Sequence, residues 1–287
     1  MKSCFKSLIL CCFLVGSAIA QTEDTYISYQ NDRNIIFEGQ IAPSYPVLKW
    51  GQKEDRRDNF SGELIVVPKV LLKMYQSQSR PVKSPSYMPK ITLQTHWKAN
   101  GVTLSPFITI GHHSNGQAGP TVISDQKTAN SGDSIENHQL SIINLESGSF
   151  ATNYIQLGYR FSLSSLPNHS FGISYEHHPI HGWWFRIDKD IEDIYGRKRL
   201  HYEYQYANKA FQFDLAYTKI YDESELADRV SSHIYSATAR IRLPVFKNLV
   251  WGFVSYYQGQ DYYNIHFTEQ VRQLKMGIAI ETKLVTN

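Results

Sequence analysis

From residue 200 to 206 the chain alternates without interruption. Leu200, Tyr202, Tyr204 and Tyr206 take one set of positions, and His201, Glu203 and Gln205 take the other. The same period of two runs through 211–217, where Phe211, Phe213, Leu215 and Tyr217 oppose Gln212, Asp214 and Ala216. It returns in 235–243 and 274–281, with Ile and Leu opposed by Arg240, Arg242, Lys275 and Glu281. A period of two places successive side chains on opposite faces of a strand. The pattern therefore specifies a sheet with one apolar face and one face carrying charges and amides.

Such a sheet suits a soluble sandwich or barrel with a dry interior. It equally suits a membrane barrel with a dry exterior and a wet lumen. Two further features choose between them. The apolar faces are rich in tyrosine (19 in the chain), a residue enriched at the level of lipid headgroups. The first twenty residues also read as an export signal. Lys2 and Lys6 precede the apolar run Leu8–Val15, and Ala18-Ile19-Ala20 offers a small-x-small cleavage site. The mature chain is expected to begin at Gln21 and to form one domain over 21–287. Beyond the signal no stretch of eighteen apolar residues exists, so the sequence offers no transmembrane helix. The expected fold is all-β: a single antiparallel transmembrane β-barrel in a bacterial outer membrane.

About twelve strands are expected: 34–43, 62–74, 90–99, 103–114, 137–147, 151–162, 169–178, 198–207, 210–219, 233–243, 249–259 and 272–282. An even count is the rule for bacterial single-chain barrels. The longest loops fall at 44–61, 115–136 and 179–197. All three cysteines (Cys4, Cys11, Cys12) lie in the signal, which excludes disulfide and thiol chemistry from the mature protein. Loss of Lys2 and Lys6 leaves a net charge of +1 and no basic stripe, so nucleic acid is not an expected partner.

The chemistry concentrates in Gly111-His112-His113-Ser114-Asn115-Gly116-Gln117. Two apart on a strand, His112 and Ser114 share a face, as a general base and its serine nucleophile require. That face continues Ile108 and Ile110, so the pair is expected outside the barrel, against lipid. An enzyme placed there can attack a lipid ester. Asn153 shares a face with Ile155, Leu157, Tyr159 and Phe161. An amide facing hydrocarbon needs a partner, and the His112 ring would supply one. Ser114, His112 and Asn153 then form a triad with an uncharged orienting residue. His113 points to the lumen. The cluster Glu176-His177-His178-Pro179-Ile180-His181 has ligand types suited to zinc or copper, but is expected to be a rim turn beside Trp183 and Trp184.

On these residues the chain resembles the outer-membrane phospholipase A family. The family's His-x-Ser-Asn-Gly run stands here as His112 to Gly116, and its triad asparagine as Asn153 in Thr152-Asn153-Tyr154. Similarity extends to Tyr256–Asn264 near the C-terminus and to Pro81–Pro89 with Tyr87. The resemblance implies a calcium-dependent, homodimeric acyl hydrolase of glycerophospholipids. It implies calcium ligands at Ser79, contributed across the dimer, and at the main-chain oxygen of Gln117, where the family commonly has arginine. Ser124, Ser131, Asp125 and Asp133 are further oxygen donors in the following loop. Two other readings stay open. A lipid A deacylase also carries a His-x-Ser-Asn element outside a barrel, and a passive pore would line its channel with Arg240, Arg242, Glu203 and Asp214.

Overall fold

A computed structural model of the chain describes residues 24–31, 34–51, 60–76, 82–124, 141–182, 185–222, 231–244 and 249–280. The signal expected over 1–20 lies outside them, as do Ser79, Asp125, Ser131, Asp133, Trp183 and Trp184.

The first strands are β1 (Thr25–Gln30), β2 (Ile35–Ile41), β3 (Tyr45–Trp50), β4 (Phe60–Val67), β5 (Val70–Tyr75), β6 (Ser86–Tyr87), β7 (Lys90–Ala99) and β8 (Val102–Ser114). The short β9 (Val122–Ser124) and β10 (Ser141–Ile143) follow. The remainder are β11 (Ala151–Leu163), β12 (His169–His177), β13 (Lys198–Ala207), β14 (Phe211–Ile220), β15 (His233–Arg242), β16 (Val250–Gln260) and β17 (Gln270–Ile280). Apart from β9 and β10, they form one antiparallel sheet. It closes on itself because β1 pairs with β17, from Thr25 opposite Ile280 to Gln30 opposite Lys275. Three staves are each made of two segments, β2/β3, β4/β5 and β6/β7, so the barrel has twelve staves.

Proline stands at all three breaks, with Pro43 separating β2 from β3. Pro68 separates β4 from β5, and Pro89 separates β6 from β7. Proline has no N–H to give a ladder and is confined to edges, strand starts and irregular points. Each half still finds the matching half of its neighbour: β2 pairs with β5, β3 with β4, β4 with β7, and β5 with β6.

The count of twelve agrees with the sequence, but its membership differs at two places. The first stave, β1, was not among the expected strands; it is only six residues long. In its place 137–147 was expected as a strand. Of its described part, 141–147, Ser141–Ile143 instead pairs with Val122–Ser124 as a two-stranded ladder outside the barrel wall. Residues 45–50, expected within a loop, form β3.

The wall is dry outside and polar inside. On β8, Pro106, Ile108 and Ile110 point outward, with Ile108 and Ile110 37% and 48% exposed, while Ser105, Phe107, Thr109 and His113 are buried. Ile27, Met276 and Ile278 are likewise apolar and half or more exposed, the inverse of a soluble barrel. Two aromatic groups line the outside of β12–β15. One contains Tyr175, Tyr202, Tyr217 and Tyr235; the other contains Phe171, Tyr204, Tyr206 and Phe211. On β12, His177 and His169 mark the two ends, eight residues or about 26 Å apart along the strand.

Ion pairs cross the lumen. Glu38, fully buried, accepts from Lys275 Nζ at 2.9 Å and from the Tyr26 and Tyr262 hydroxyls at 2.6 Å. Lys73, equally buried, lies 3.3 Å from Asp261 and 4.0 Å from Glu38, with its ammonium over the Tyr262 and Tyr263 rings. Arg160 pairs with Glu203, and Arg240 bridges Asp214 and Asp24. The four charges of the pore reading are therefore occupied, Arg240 and Glu203 in pairs, Asp214 by Gln205, Gln212 and Arg240, and Arg242 against the Trp251 ring.

Candidate active site

The staves β8 and β11 run antiparallel with Asn153 directly opposite His112 and Ala151 opposite Ser114. The register brings the two outward side chains together: His112 Nδ1 and Asn153 Oδ1 are 2.9 Å apart. An amide oxygen can only accept, so the ring donates from Nδ1, which leaves Nε2 as the basic nitrogen of the neutral imidazole. Asn153 is held in turn, because its Nδ2 donates to the Arg186 carbonyl at 2.9 Å. That carbonyl belongs to a strap fixed on both sides. Ile187 N donates to Pro179 O, Asp188 N donates to Ala151 O, and the Ile187 side chain is fully buried.

Ser114 shares the outward face with His112 at the end of β8, with Tyr87 opposite it on β6. Directly after it the chain makes a turn that glycine must occupy. Gly116 has φ 66°, and a Cβ there would lie 3.3 Å from the Tyr87 ring. Asn115 fixes this turn. Its side chain is buried; Oδ1 accepts from Gln117 N at 3.2 Å and Phe150 N at 3.1 Å, while Nδ2 donates to Gly148 O at 2.8 Å and Gln117 Oε1 at 2.9 Å. Phe150 is anchored in the apolar cap of Ile187, Ile191, Tyr195, Ile265 and Phe267. The motif asparagine thus ties the nucleophile's turn to the cap, a role the sequence alone did not assign. Its one legible signal was a side chain able to donate and accept, placed between a serine and a turn glycine.

Gln117 lies in the same turn. Its side chain is committed to Asn115 and to the Glu146 carbonyl at 3.1 Å, so its main-chain oxygen is the group it can offer a cation. Of the other calcium candidates only Ser124 is described, on β9.

The histidine cluster separates instead of converging. His177 faces outward on β12 opposite Lys198. His178 is buried, with Nδ1 2.7 Å from Thr152 Oγ1 and Nε2 2.9 Å from Glu176 Oε1. Burial pushes its imidazole below the usual range, against the pull of the Glu176 carboxylate. These contacts brace β11 beside Asn153 from within the lumen. His113 is also buried and packs edge-on against Phe150. Asp261, His266 and Glu269 bring ligand-type atoms within 4.8 Å of one another. An ion pair of Lys73 with Asp261 and a 2.9 Å hydrogen bond between His266 and Glu269 account for these groups.

With this geometry in view, the fold finds counterparts among solved structures. Outer membrane phospholipase A from Escherichia coli superposes with a TM-score of 0.58 at 14% identity over 90% of each chain. An active-site mutant of that enzyme, with an asparagine replaced by alanine, gives 0.58 at 13%. The Salmonella typhi outer membrane phospholipase dimer with bound calcium gives 0.57 at 13%, again over 90% of each chain. No family model and no curated protein matches the sequence. The chain thus has the barrel fold of outer-membrane phospholipase A.

Proposed function

We propose that this chain is an outer-membrane phospholipase A, matured by loss of residues 1–20, that hydrolyses acyl esters of glycerophospholipids with calcium. The observation that carries the reading is the His112–Asn153 hydrogen bond on the lipid-facing side of the wall, with Ser114 on the same face. Polar groups there need partners and serve no lumen. A lipid's acyl ester reaches this face without leaving the membrane.

His112 Nε2 takes the proton as Ser114 Oγ attacks the ester carbonyl, and the imidazole later returns it to the departing alcohol. Asn153 keeps the ring in the tautomer that leaves Nε2 free, and the Arg186 carbonyl keeps Asn153 turned toward the ring. Water repeats the sequence on the acyl-enzyme. The Ser114 main-chain N–H, in the turn that Asn115 fixes, is placed to donate to the developing oxyanion. Gln117 O and Ser79 are hard oxygen donors of the kind calcium takes. When bound, the ion would polarise the ester carbonyl. The Salmonella phospholipase is a dimer with bound calcium, and in a dimer of this chain Ser79 would enter the site from the second copy. The exterior beside Ser114 is aliphatic, with Val70, Leu72, Ile91 and Ile110 outward, which suits contact with another barrel.

A long-chain alkyl sulfonyl fluoride tests the nucleophile. Peptide mapping should find the label on Ser114, and His112→Ala should abolish it. Labelling of another residue, or labelling that survives loss of His112, would remove the assignment. The pore reading has less support, because the lumen charges are paired.

A further inference from the structure

Away from the catalytic pair, the outer rim carries two lysines and two histidines on its lipid-facing side. Four adjacent staves contribute. His177 on β12 stands opposite Lys198 on β13, Leu200 on β13 opposite Lys219 on β14, and Lys219 opposite His233 on β15. All four basic side chains belong to the outward set of their strands, the set that carries Tyr175, Tyr202, Tyr217 and Tyr235. One row below the cations, Tyr202, Tyr217 and Tyr235 stand side by side, with ring centroids 6.0 and 5.2 Å apart. The Tyr217 hydroxyl meets His233 Nδ1 at 2.7 Å, and Lys219 Nζ lies 2.7 Å from Ser232 Oγ and 3.4 Å from His233 Nε2. Lys219 has no carboxylate partner among the described residues. Asp222 is shared between Arg197 at 3.6 Å and Lys198 at 3.4 Å, so among the described residues of this rim Arg197, Lys198 and Lys219 stand beside one carboxylate.

We propose that this stripe binds the phosphorylated sugar headgroup of an outer-leaflet glycolipid. The inference rests on the outer-membrane reading of the barrel, and does not depend on its hydrolase activity. Position gives the leaflet. The long connections 115–150, 178–197 and 221–232 all leave from this end, whereas 164–168 and 208–210 join strands at the other, and outer-membrane barrels carry their longer loops outside. Tyrosine below and cations above match the acyl boundary and the headgroup level of that leaflet. Spacing distinguishes this lipid from the substrate. Ser114 on β8 and Lys198 on β13 are three strand spacings apart, about 14 Å. A substrate's phosphate is only one glycerol unit from its ester, so it cannot occupy the stripe while the ester sits at Ser114. From β12 to β15 the stripe itself spans another three spacings, about 14 Å. That breadth suits a headgroup with more than one phosphate better than a phospholipid with a single one.

The test uses the mature barrel in neutral detergent, with folding followed by heat-modifiable gel migration. Native mass spectrometry would measure retention of bis-phosphorylated lipid A, of the same lipid without phosphates, and of phosphatidylglycerol. The expected result is preferential retention of the bis-phosphorylated lipid, weakened about tenfold or more in K198Q/K219Q. Ester hydrolysis in mixed micelles should be unchanged, because neither lysine touches the catalytic groups. Equal retention by wild type and double variant, or equal retention of phosphatidylglycerol, would overturn the proposal while leaving the hydrolase reading intact. Wild-type chain that does not fold into a membrane-inserted barrel would overturn the outer-membrane reading itself.

Discussion

Polar side chains occupy both surfaces of the wall, and they are organised in opposite ways. In the lumen, Lys73, Glu38, Lys275, Asp261 and Tyr262 form a buried network in which each charge has a counter-charge or a hydroxyl. On the outside of β8 and β11 the polar groups carry no permanent charge and are few and adjacent: Ser114, His112 and Asn153. The inner network compensates desolvation and fills the barrel. The outer group does little for the wall, yet it presents an imidazole of fixed tautomer where a lipid passes. Polarity inside this barrel is architecture, and polarity on the outside of β8 and β11 is the candidate chemistry.

That contrast predicts which substitutions change activity and which change stability. Ser114→Ala should lower phospholipid hydrolysis by about 10³-fold or more with an unchanged unfolding midpoint. Matched assays and urea titrations in detergent would check both halves. Lys73→Met should do the reverse. It leaves Glu38 and Asp261 short of a cation and should cost about 3–5 kcal/mol of stability, while the folded fraction keeps its kcat. Asn153→Ala should reduce kcat by about 10²-fold through loss of ring orientation, with little change in KM. Substantial destabilisation by this variant would mean that the outer amide holds the wall together, and the contrast would fail. Asn115→Ala lies between the two classes. It strands the Phe150 N–H and the Gly148 carbonyl, and should cost about 1–3 kcal/mol together with a partial loss of kcat.

The barrel was legible in the sequence because the period of two is a local property, and β13, β14, β15 and β17 display it without interruption. β1 escaped because six residues are too few to display the period of two by themselves, and its place is set by its partner, β17. Residues 137–147 misled for the complementary reason, since a short apolar run does not say whether it joins a wall or a loop ladder. In the site, spacing placed His112 and Ser114 on one face and made Asn153 a candidate for the ring. The Arg186 carbonyl behind Asn153, and the hold of Asn115 on Phe150 and Gly148, were beyond reach. Each depends on a main-chain group more than thirty residues away, whose position only the closed barrel and its cap determine.

The most direct measurement is fatty-acid release from phospholipid–detergent mixed micelles by the folded mature protein, with calcium and with chelator, alongside Ser114→Ala. The account predicts release with calcium, little with chelator, and none from the variant in either condition. Undiminished release from Ser114→Ala, or no release from folded wild-type protein supplied with calcium, would contradict it.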